Sequence, residues 1–177
     1  MNRRCSTFEA PAAGPANVDW TVSVTESLPD CPSPKAGWEK IATQTKWGEW
    51  RAESKMRGKN ITTSVVPPAT EPLQTGDKYV VKVGRILRIR CRVLESSGIV
   101  TSDGGDLVFD AMGSALGGLV RARFRFTIFR GEDGMIMARA QEKIMSLPFL
   151  VPSKETLECE HRQTFTDLNR SFLAPMQ

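Results

Sequence analysis

The sequence predicts an α+β domain in which an antiparallel sheet packs against one long C-terminal helix. Two features predict the sheet: basic and apolar residues alternate along the middle of the chain, and glycine-containing turns separate the alternating runs. The helix is predicted by a stripe of apolar residues at helical spacing near the C-terminus. A period of two puts alternate residues on opposite faces of a strand, so one face of the sheet is expected to be basic and the other apolar.

Composition is that of a globular protein of ordinary size. The chain has 177 residues, of which 40% are hydrophobic and 25% charged, enough for one domain with a sizeable core. The formal charge of +4 is compatible with an anionic membrane or nucleic acid but requires neither. No segment has the roughly 18 to 20 consecutive apolar residues of a membrane-spanning helix. The basic N-terminus lacks an apolar segment behind it, so we expect no secretory signal.

The cysteines and the histidine argue against a metal site. Cys5, Cys31, Cys91 and Cys159 are scattered and show no metal-ligand spacing. We therefore expect reduced thiols and a cytoplasmic location. A single histidine is too few for the usual zinc sites built from His and Cys.

The N-terminal part predicts a flexible lead-in, one strand and two short helical segments. Residues 6–17 are rich in Ala, Pro and Gly, so residues 1–17 are expected to be flexible and residues 18–177 to form a single domain. The β-branched residues of 18–27 predict the first strand. Ser33 followed by Pro34 predicts the start of a short helix, and a second short segment holds Trp47 and Trp50.

The central part predicts the remaining strands of the sheet. Alternation predicts strands at residues 78–83, 87–93, 106–112, 121–126 and 135–144, and a strand run that begins at residue 55 and ends before Pro67. Arginines occupy alternate positions in two of these runs, and we expect them on the outer, solvated face. These residues are Arg88, Arg90, Arg92, Arg121, Arg123 and Arg125. With the arginines inside, the same runs would instead build an anion site.

The last segment predicts one long amphipathic helix. Ser153 is placed to cap its N-terminus, and Glu155 suits the first turn because a carboxylate there interacts favourably with the helix dipole. The apolar stripe follows at steps of four, four, three and four. Its members are Leu157, His161, Phe165, Leu168 and Phe172.

This order of elements resembles the START/birch-pollen-allergen/polyketide-cyclase superfamily (SRPBCC). The segments that carry the resemblance are residues 37–41 (GWEKI) with Trp47 and Trp50, residues 75–79 (TGDKY), residues 107–110 (LVFD) and Glu142. Together they extend the resemblance over about residues 18–175. It implies a helix-grip fold, with a curved sheet of about seven strands around the C-terminal helix and a deep cavity between them. It also implies a lipid, sterol, hormone or polyketide ligand, in some members cyclisation, aromatisation or dehydration, and no metal or cofactor.

Within such a cavity we expect a set of ligand-binding residues, taken from the inward parity of the strands, from the aromatic position that carries the resemblance (Phe109) and from the helix stripe (Phe165). They are Met56, Asn60, Tyr79, Val81, Ile89, Cys91, Phe109, Phe124, Phe126 and Phe165. Glu142 shares the parity of the apolar residues of the last strand, and His161 lies on the buried stripe of the helix. A carboxylate and an imidazole on opposite walls of an apolar pocket suit proton transfer, so both are candidate catalytic residues.

Each of these residues also has a purely structural interpretation. A lone histidine on an apolar helix stripe is more often a core residue with a satisfied hydrogen bond. The alternatives for Glu142 are a pair with a neighbouring Lys or Arg and a position at the cavity mouth. Tyr79 and Asn60 either orient a ligand or simply form the wall. Asp110 is expected to be solvated. Trp47 and Trp50 are expected in the core, and residues 113–118 are expected to form a flexible loop.

Three functional hypotheses follow. The first is a cofactor-free cyclase, isomerase or dehydratase acting on a polyketide or terpenoid-like intermediate. The second is a lipid or quinone carrier with the same pocket and no chemistry. The third, a nucleic-acid binder that uses the arginine face, is disfavoured because aromatic residues do not interleave with the arginines. The expected partner is thus a hydrophobic small molecule, with contact to a membrane surface left open, and the protein itself is expected as a monomer or homodimer.

Overall fold

The computed structural model describes residues 19–47, 50, 55–56, 59–65, 71–83, 87–97, 107–146 and 152–173. Side chains are described for these residues except at positions 55–56, 59–65, 83 and 87. No helix among the described residues has the length and apolar character needed to cross a membrane.

Eight strands form one curved antiparallel sheet in the order β1-β8-β7-β6-β5-β4-β3-β2. The strands are β1 (Val22–Ser27), β2 (Lys55–Met56), β3 (Lys59–Val65), β4 (Lys78–Val83), β5 (Leu87–Ser97), β6 (Leu107–Ala115), β7 (Val120–Arg130) and β8 (Ile136–Ser146). The helices are α1 (Pro34–Ala42), a 3-10 turn (Gln44–Lys46) and α2 (Lys154–Arg170). The predicted α+β helix-grip architecture is confirmed, and β2, with two residues, is the short addition to about seven longer strands.

Several boundaries differ from the sequence prediction. The run predicted from residue 55 to before Pro67 is divided between β2 and β3. The predicted flexible loop at 113–118 is wrong at its start, because β6 continues to Ala115 and only Leu116–Gly118 form a 3-10 turn. A Cβ on Gly113 would lie 2.7 Å from Ile89 Cγ2. The glycine here therefore permits close packing inside a strand rather than loop flexibility.

α1 is held in place by its cap and by its tryptophan. The predicted cap is present: Ser33 Oγ accepts a hydrogen bond from the Ala36 backbone N–H at 3.2 Å. Trp38 Nε1 donates to the Val108 carbonyl at 3.0 Å, which ties α1 to β6. Trp47 and Trp50 are buried, as the sequence predicted.

α2 packs on the inner face of the sheet, defined here as the face that carries Val22, Val24, Phe126 and Glu142. Its buried residues are Leu157, His161, Phe165 and Leu168, which is the predicted stripe without Phe172. The predicted cap is also present, with Ser153 Oγ accepting from the Thr156 N–H at 3.2 Å.

The C-terminal end of α2 is tied to the segment around α1. Lys40 Nζ donates to the carbonyl and to the hydroxyl of Ser171, each at 3.0 Å. The Asp30 N–H donates to Asn169 Oδ1 at 3.0 Å. These contacts fix the direction in which α2 crosses the sheet, and thereby the position of the side chains on its buried stripe.

The outer face carries the arginines, as expected, and a buried carboxylate that the sequence analysis placed wrongly. Asp110 is 0% exposed. Arg123 donates to it from Nε at 2.9 Å and from Nη2 at 2.6 Å, and Arg125 Nη1 lies 3.7 Å away. A carboxylate can be buried on an outer face when arginines of the neighbouring strand cover it. Arg125 also pairs with Glu95 at 3.5 Å.

The Asp110 carboxylate changes the pKa of Arg123. Its hydrogen bonds raise the pKa of the Arg123 guanidinium above the ordinary value, outweighing the opposing effect of burial. Asp110 therefore favours the charged form of Arg123.

We expect Asp110→Ala to lower the free energy of unfolding by about 2 to 4 kcal/mol, because two partly buried arginines lose their carboxylate. Urea unfolding followed by tryptophan fluorescence measures the change. Glu132→Ala, in the exposed turn between β7 and β8, is the control and should shift stability by less than about 0.5 kcal/mol. Equal shifts for the two variants would contradict a stabilising role for this cluster.

Candidate functional site

Three elements bring Glu142 and His161 together. In the register of β7 and β8, Phe124 lies opposite Glu142 and Phe126 lies opposite Ala140. Directly opposed residues of an antiparallel pair share a face, so all four side chains belong to the inner face. α2 crosses this face with His161 one turn before Phe165, which places the imidazole over β8.

The two candidate catalytic groups are in direct contact. His161 Nε2 and Glu142 Oε2 are 3.0 Å apart, and their side chains are 11% and 8% exposed. The sequence analysis expected them on opposite walls of a pocket. The structure joins them by a hydrogen bond instead, because the two side chains meet between α2 and β8.

Aromatic rings enclose this pair. The Phe126 ring meets the His161 ring edge to face, with centroids 6.4 Å apart and an interplanar angle of 79°. It meets Phe165 in the same way, at 6.3 Å and 85°. Phe109, opposite Phe126 on β6, is buried as well. The Phe126 ring therefore lies between His161 and Phe165, with Phe109 beside it on the inner face.

The contact determines what the imidazole can do. A neutral histidine that donates from Nε2 to the carboxylate keeps its lone pair on Nδ1. A carboxylate partner fixes the tautomer and ring orientation, and it stabilises the imidazolium that forms when Nδ1 accepts a proton. The arrangement is therefore suited to a base whose carboxylate partner is already in place.

A second group of the predicted residues lies toward β4 and β5. Tyr79 lies opposite Cys91 and Val81 opposite Ile89. Tyr79 and Cys91 are buried, and Val81 and Ile89 are partly buried against the core. The Tyr79 ring also meets Trp47 edge to face at 5.3 Å, so the segment after α1 covers this part of the inner face.

Two thiols lie outside this region. Cys31, near α1, and Cys159, on α2, are free cysteines, and Cys31 Sγ donates to the Ser33 carbonyl at 3.2 Å. Burial raises the pKa of the Cys31 thiol, which keeps it protonated.

The remaining predicted residues are placed as follows. Phe124 is partly buried on the inner face, next to Ala111 of β6. The side chains of Met56 and Asn60 lie outside the described residues, so the predictions for them stay predictions. The sequence analysis did not single out Gln44, whose Nε2 is buried without an acceptor among the described residues. No local pattern marks that amide.

We expect Glu142→Leu and His161→Phe each to cost about 1 to 3 kcal/mol of stability, because each leaves the other polar group buried without its partner. The double variant removes both groups and should cost less than the sum of the two. Urea unfolding of the four proteins gives the coupling energy. Additive costs would show that the hydrogen bond contributes nothing to the folded state.

Comparison with known proteins finds likeness in structure alone. No protein-family model matches the sequence, and no curated protein matches it. A hypothetical protein of Helicobacter pylori superposes with a TM-score of 0.69 at 12% identity, over 94% of this chain and 98% of that one. Ara h 8.0201 does so with a TM-score of 0.56 at 12% identity, over 86% and 96%.

The major latex-like protein 151 of Panax ginseng gives a TM-score of 0.57 at 8% identity, over 86% of this chain and 97% of the ginseng chain. At such identities a likeness concerns the fold. It agrees with the element order and with the position of α2 on the inner face of the sheet. The chain thus has the helix-grip fold that the sequence predicted and shares it with these solved structures.

Proposed function

We propose that the protein binds a hydrophobic small molecule between the inner face and α2, and that Glu142 and His161 move protons on it. The reaction class is a cofactor-free cyclisation, isomerisation or dehydration of a polyketide or terpenoid-like intermediate. The observation that supports this most directly is the buried hydrogen bond between the two side chains.

Stability alone is a poor reason for such a pair. Burying a carboxylate and an imidazole costs desolvation energy, and an apolar pair of the same volume is often as stable or more so. Polar pairs of this kind on apolar walls are concentrated at functional sites. The surrounding Phe109, Phe126 and Phe165 already form an apolar interface that leucine and phenylalanine would complete.

In the proposed chemistry His161 is the base and Glu142 is the partner that stabilises its charged form. His161 Nδ1 takes a proton from a carbon next to a carbonyl, the C–H electron pair forms an enolate, and Glu142 stabilises the resulting imidazolium. The imidazolium then returns the proton to another carbon or to a departing hydroxyl. The pocket adds proximity and excludes water, which strengthens these interactions.

A carrier is the second candidate. In the structure Glu142 and His161 satisfy each other, so their hydrogen bond is sufficient for a structural role and needs no substrate. The superfamily that the chain resembles includes lipid-binding members without chemistry. A lipid or quinone carrier would use the same inner face, with the pair serving only to fix α2.

For ligand binding, we expect the purified protein to carry a lipid-like molecule in native mass spectrometry that is lost under denaturing conditions. Freed of it, the protein should take up the neutral fluorophore N-phenyl-1-naphthylamine with a rise in emission, because an apolar pocket excludes water from the dye. Protein unfolded in urea is the control for dye binding to exposed apolar groups. Failure to hold either molecule would contradict the binding proposal.

For catalysis, we expect the protein to accelerate deuterium exchange at the α-carbon of 2-tetralone in D2O, followed by proton NMR. Glu142→Gln and His161→Gln should each slow this exchange by about 100-fold, since general bases contribute effects of this size. Glu95→Gln, on the outer face, is the matched control and should leave the rate unchanged.

The fluorophore separates the two candidates. An enzyme retains dye binding in Glu142→Gln and His161→Gln while exchange is lost. Dye binding by the natural protein without any acceleration of exchange would leave carriage as the function.

A further inference from the structure

The turn between β6 and β7 exposes two leucines to solvent. Leu116 is 56% exposed and Leu119 is 60% exposed. They flank a tight turn in which Gly117 and Gly118 have φ values of 67° and 94°. Isolated exposed leucines are common on protein surfaces, but here two of them form the tip of one hairpin.

The backbone does not explain the leucine at position 116. Leu116 has φ 50°, in the left-handed region that bulky residues rarely occupy. Glycine or asparagine would hold the same conformation with less strain. A residue that costs stability and contacts solvent points to a role in binding.

Basic side chains lie beside this tip. The Arg121 guanidinium packs over Gly118, with Nη2 3.5 Å from the position a Cβ would take there. Ser114 lies opposite both Arg90 and Arg121, and Arg121 lies opposite Met145. Arg90 and Arg121 are exposed, and Met145 is among the exposed large apolar residues. Arg90, Arg121 and Met145 thus lie in register with one another on the outer face, on β5, β7 and β8.

The charges of the outer face are divided along the strands. Its acidic residues Asp110 and Glu95 neutralise Arg123 and Arg125, farther from the turn. Arg90 and Arg121 take part in none of the ion pairs found among the described residues. Within the described part of the chain, the arginines near the exposed leucines therefore have no ion-pair partner.

We propose that the end of the sheet at which β6 turns into β7 docks on an anionic phospholipid bilayer. Leu116 and Leu119 enter the interface between headgroups and acyl chains, and Arg90 and Arg121 contact the headgroup phosphates and carboxylates. An apolar tip beside basic side chains is the combination that binds such surfaces, since burial of apolar area and attraction to anionic lipids add. The membrane-binding element is then the hairpin tip together with these two arginines, named here the docking edge.

The observations favour a bilayer over nucleic acid. Single-stranded nucleic acid is bound by aromatic rings that stack on bases, and the exposed large apolar side chains in the described part of the chain include no aromatic residue. Phosphate contacts alone would use the arginines and leave the leucines in water. A bilayer engages both.

The docking edge also lies near the candidate site. β8 ends at Ser146, opposite Val120 at the start of β7. Glu142 precedes Ser146 by four residues on the same strand, which corresponds to roughly 13 Å. A bilayer at this edge would be a short path from the inner face, although docking does not depend on the proposed function.

The test is flotation of the full chain with vesicles of phosphatidylcholine alone or of equal parts phosphatidylcholine and phosphatidylserine. We expect the natural protein to float with the anionic vesicles and to be released by high salt. Leu116→Ser with Leu119→Ser should lower the partition coefficient by about tenfold or more. Arg90→Gln with Arg121→Gln should lower it by about tenfold and abolish the preference for phosphatidylserine.

The control is Leu173→Ser with Arg170→Gln. It removes one exposed leucine and one exposed arginine at the C-terminal end of α2, outside the docking edge. It should partition like the natural protein, and circular dichroism shows whether each variant is folded. Absence of flotation by the natural protein, or equal partition of the leucine variant, would overturn the proposal. So would tighter binding of labelled polyuridine that is lost in the arginine variant and kept in the leucine variant.

Discussion

The packing of α2 on the inner face of the sheet is the constraint on which the other features depend. A sheet that is apolar on one face must cover that face. α2 covers part of it with Leu157, Phe165 and Leu168, and the segment after α1 covers the part around Tyr79. Burying a side chain of this size contributes about 1.5 to 3 kcal/mol, more than a typical hydrogen bond. The polar contacts of Lys40 and Asp30 with the end of α2 orient the helix and add little to the driving force.

The same interface contains the only described pair in which an imidazole and a carboxylate meet. His161 occupies a position where leucine would serve the packing, and Glu142 faces it from β8. Packing alone would favour an apolar pair at this point, because burying polar groups costs desolvation energy. The hydrogen bond between the two side chains offsets part of this cost.

The outer face deals with charge in two ways. Around Asp110, Arg123 and Arg125 of β7 contact a buried carboxylate of β6 and so link the two strands through their side chains. Toward the turn at Leu116 the arginines stay solvated. The arginines of the outer face therefore fall into two groups. Those near the acidic residues of β5 and β6 form ion pairs, and those near the turn are exposed.

The sequence by itself determined the class of fold and the two faces. A period of two in the strands and of about 3.6 in the last helix follows from backbone geometry, so the inward set, including Tyr79, Cys91, Phe126 and Glu142, was predictable. The caps at Ser33 and Ser153 were predictable for the same reason, since they depend on neighbours in the chain.

Tertiary structure decided what depends on distance between elements. The contact of Glu142 with His161 depends on how closely α2 approaches β8, and no local pattern contains that separation. Asp110 seemed solvated from its strand, because its burial comes from Arg123, a residue of the next strand. Gly113 looked like part of a loop, because the side chain of Ile89 that requires a glycine there lies on β5. In each case the physical cause is a partner distant in sequence, which the hydrophobic pattern of one segment cannot specify.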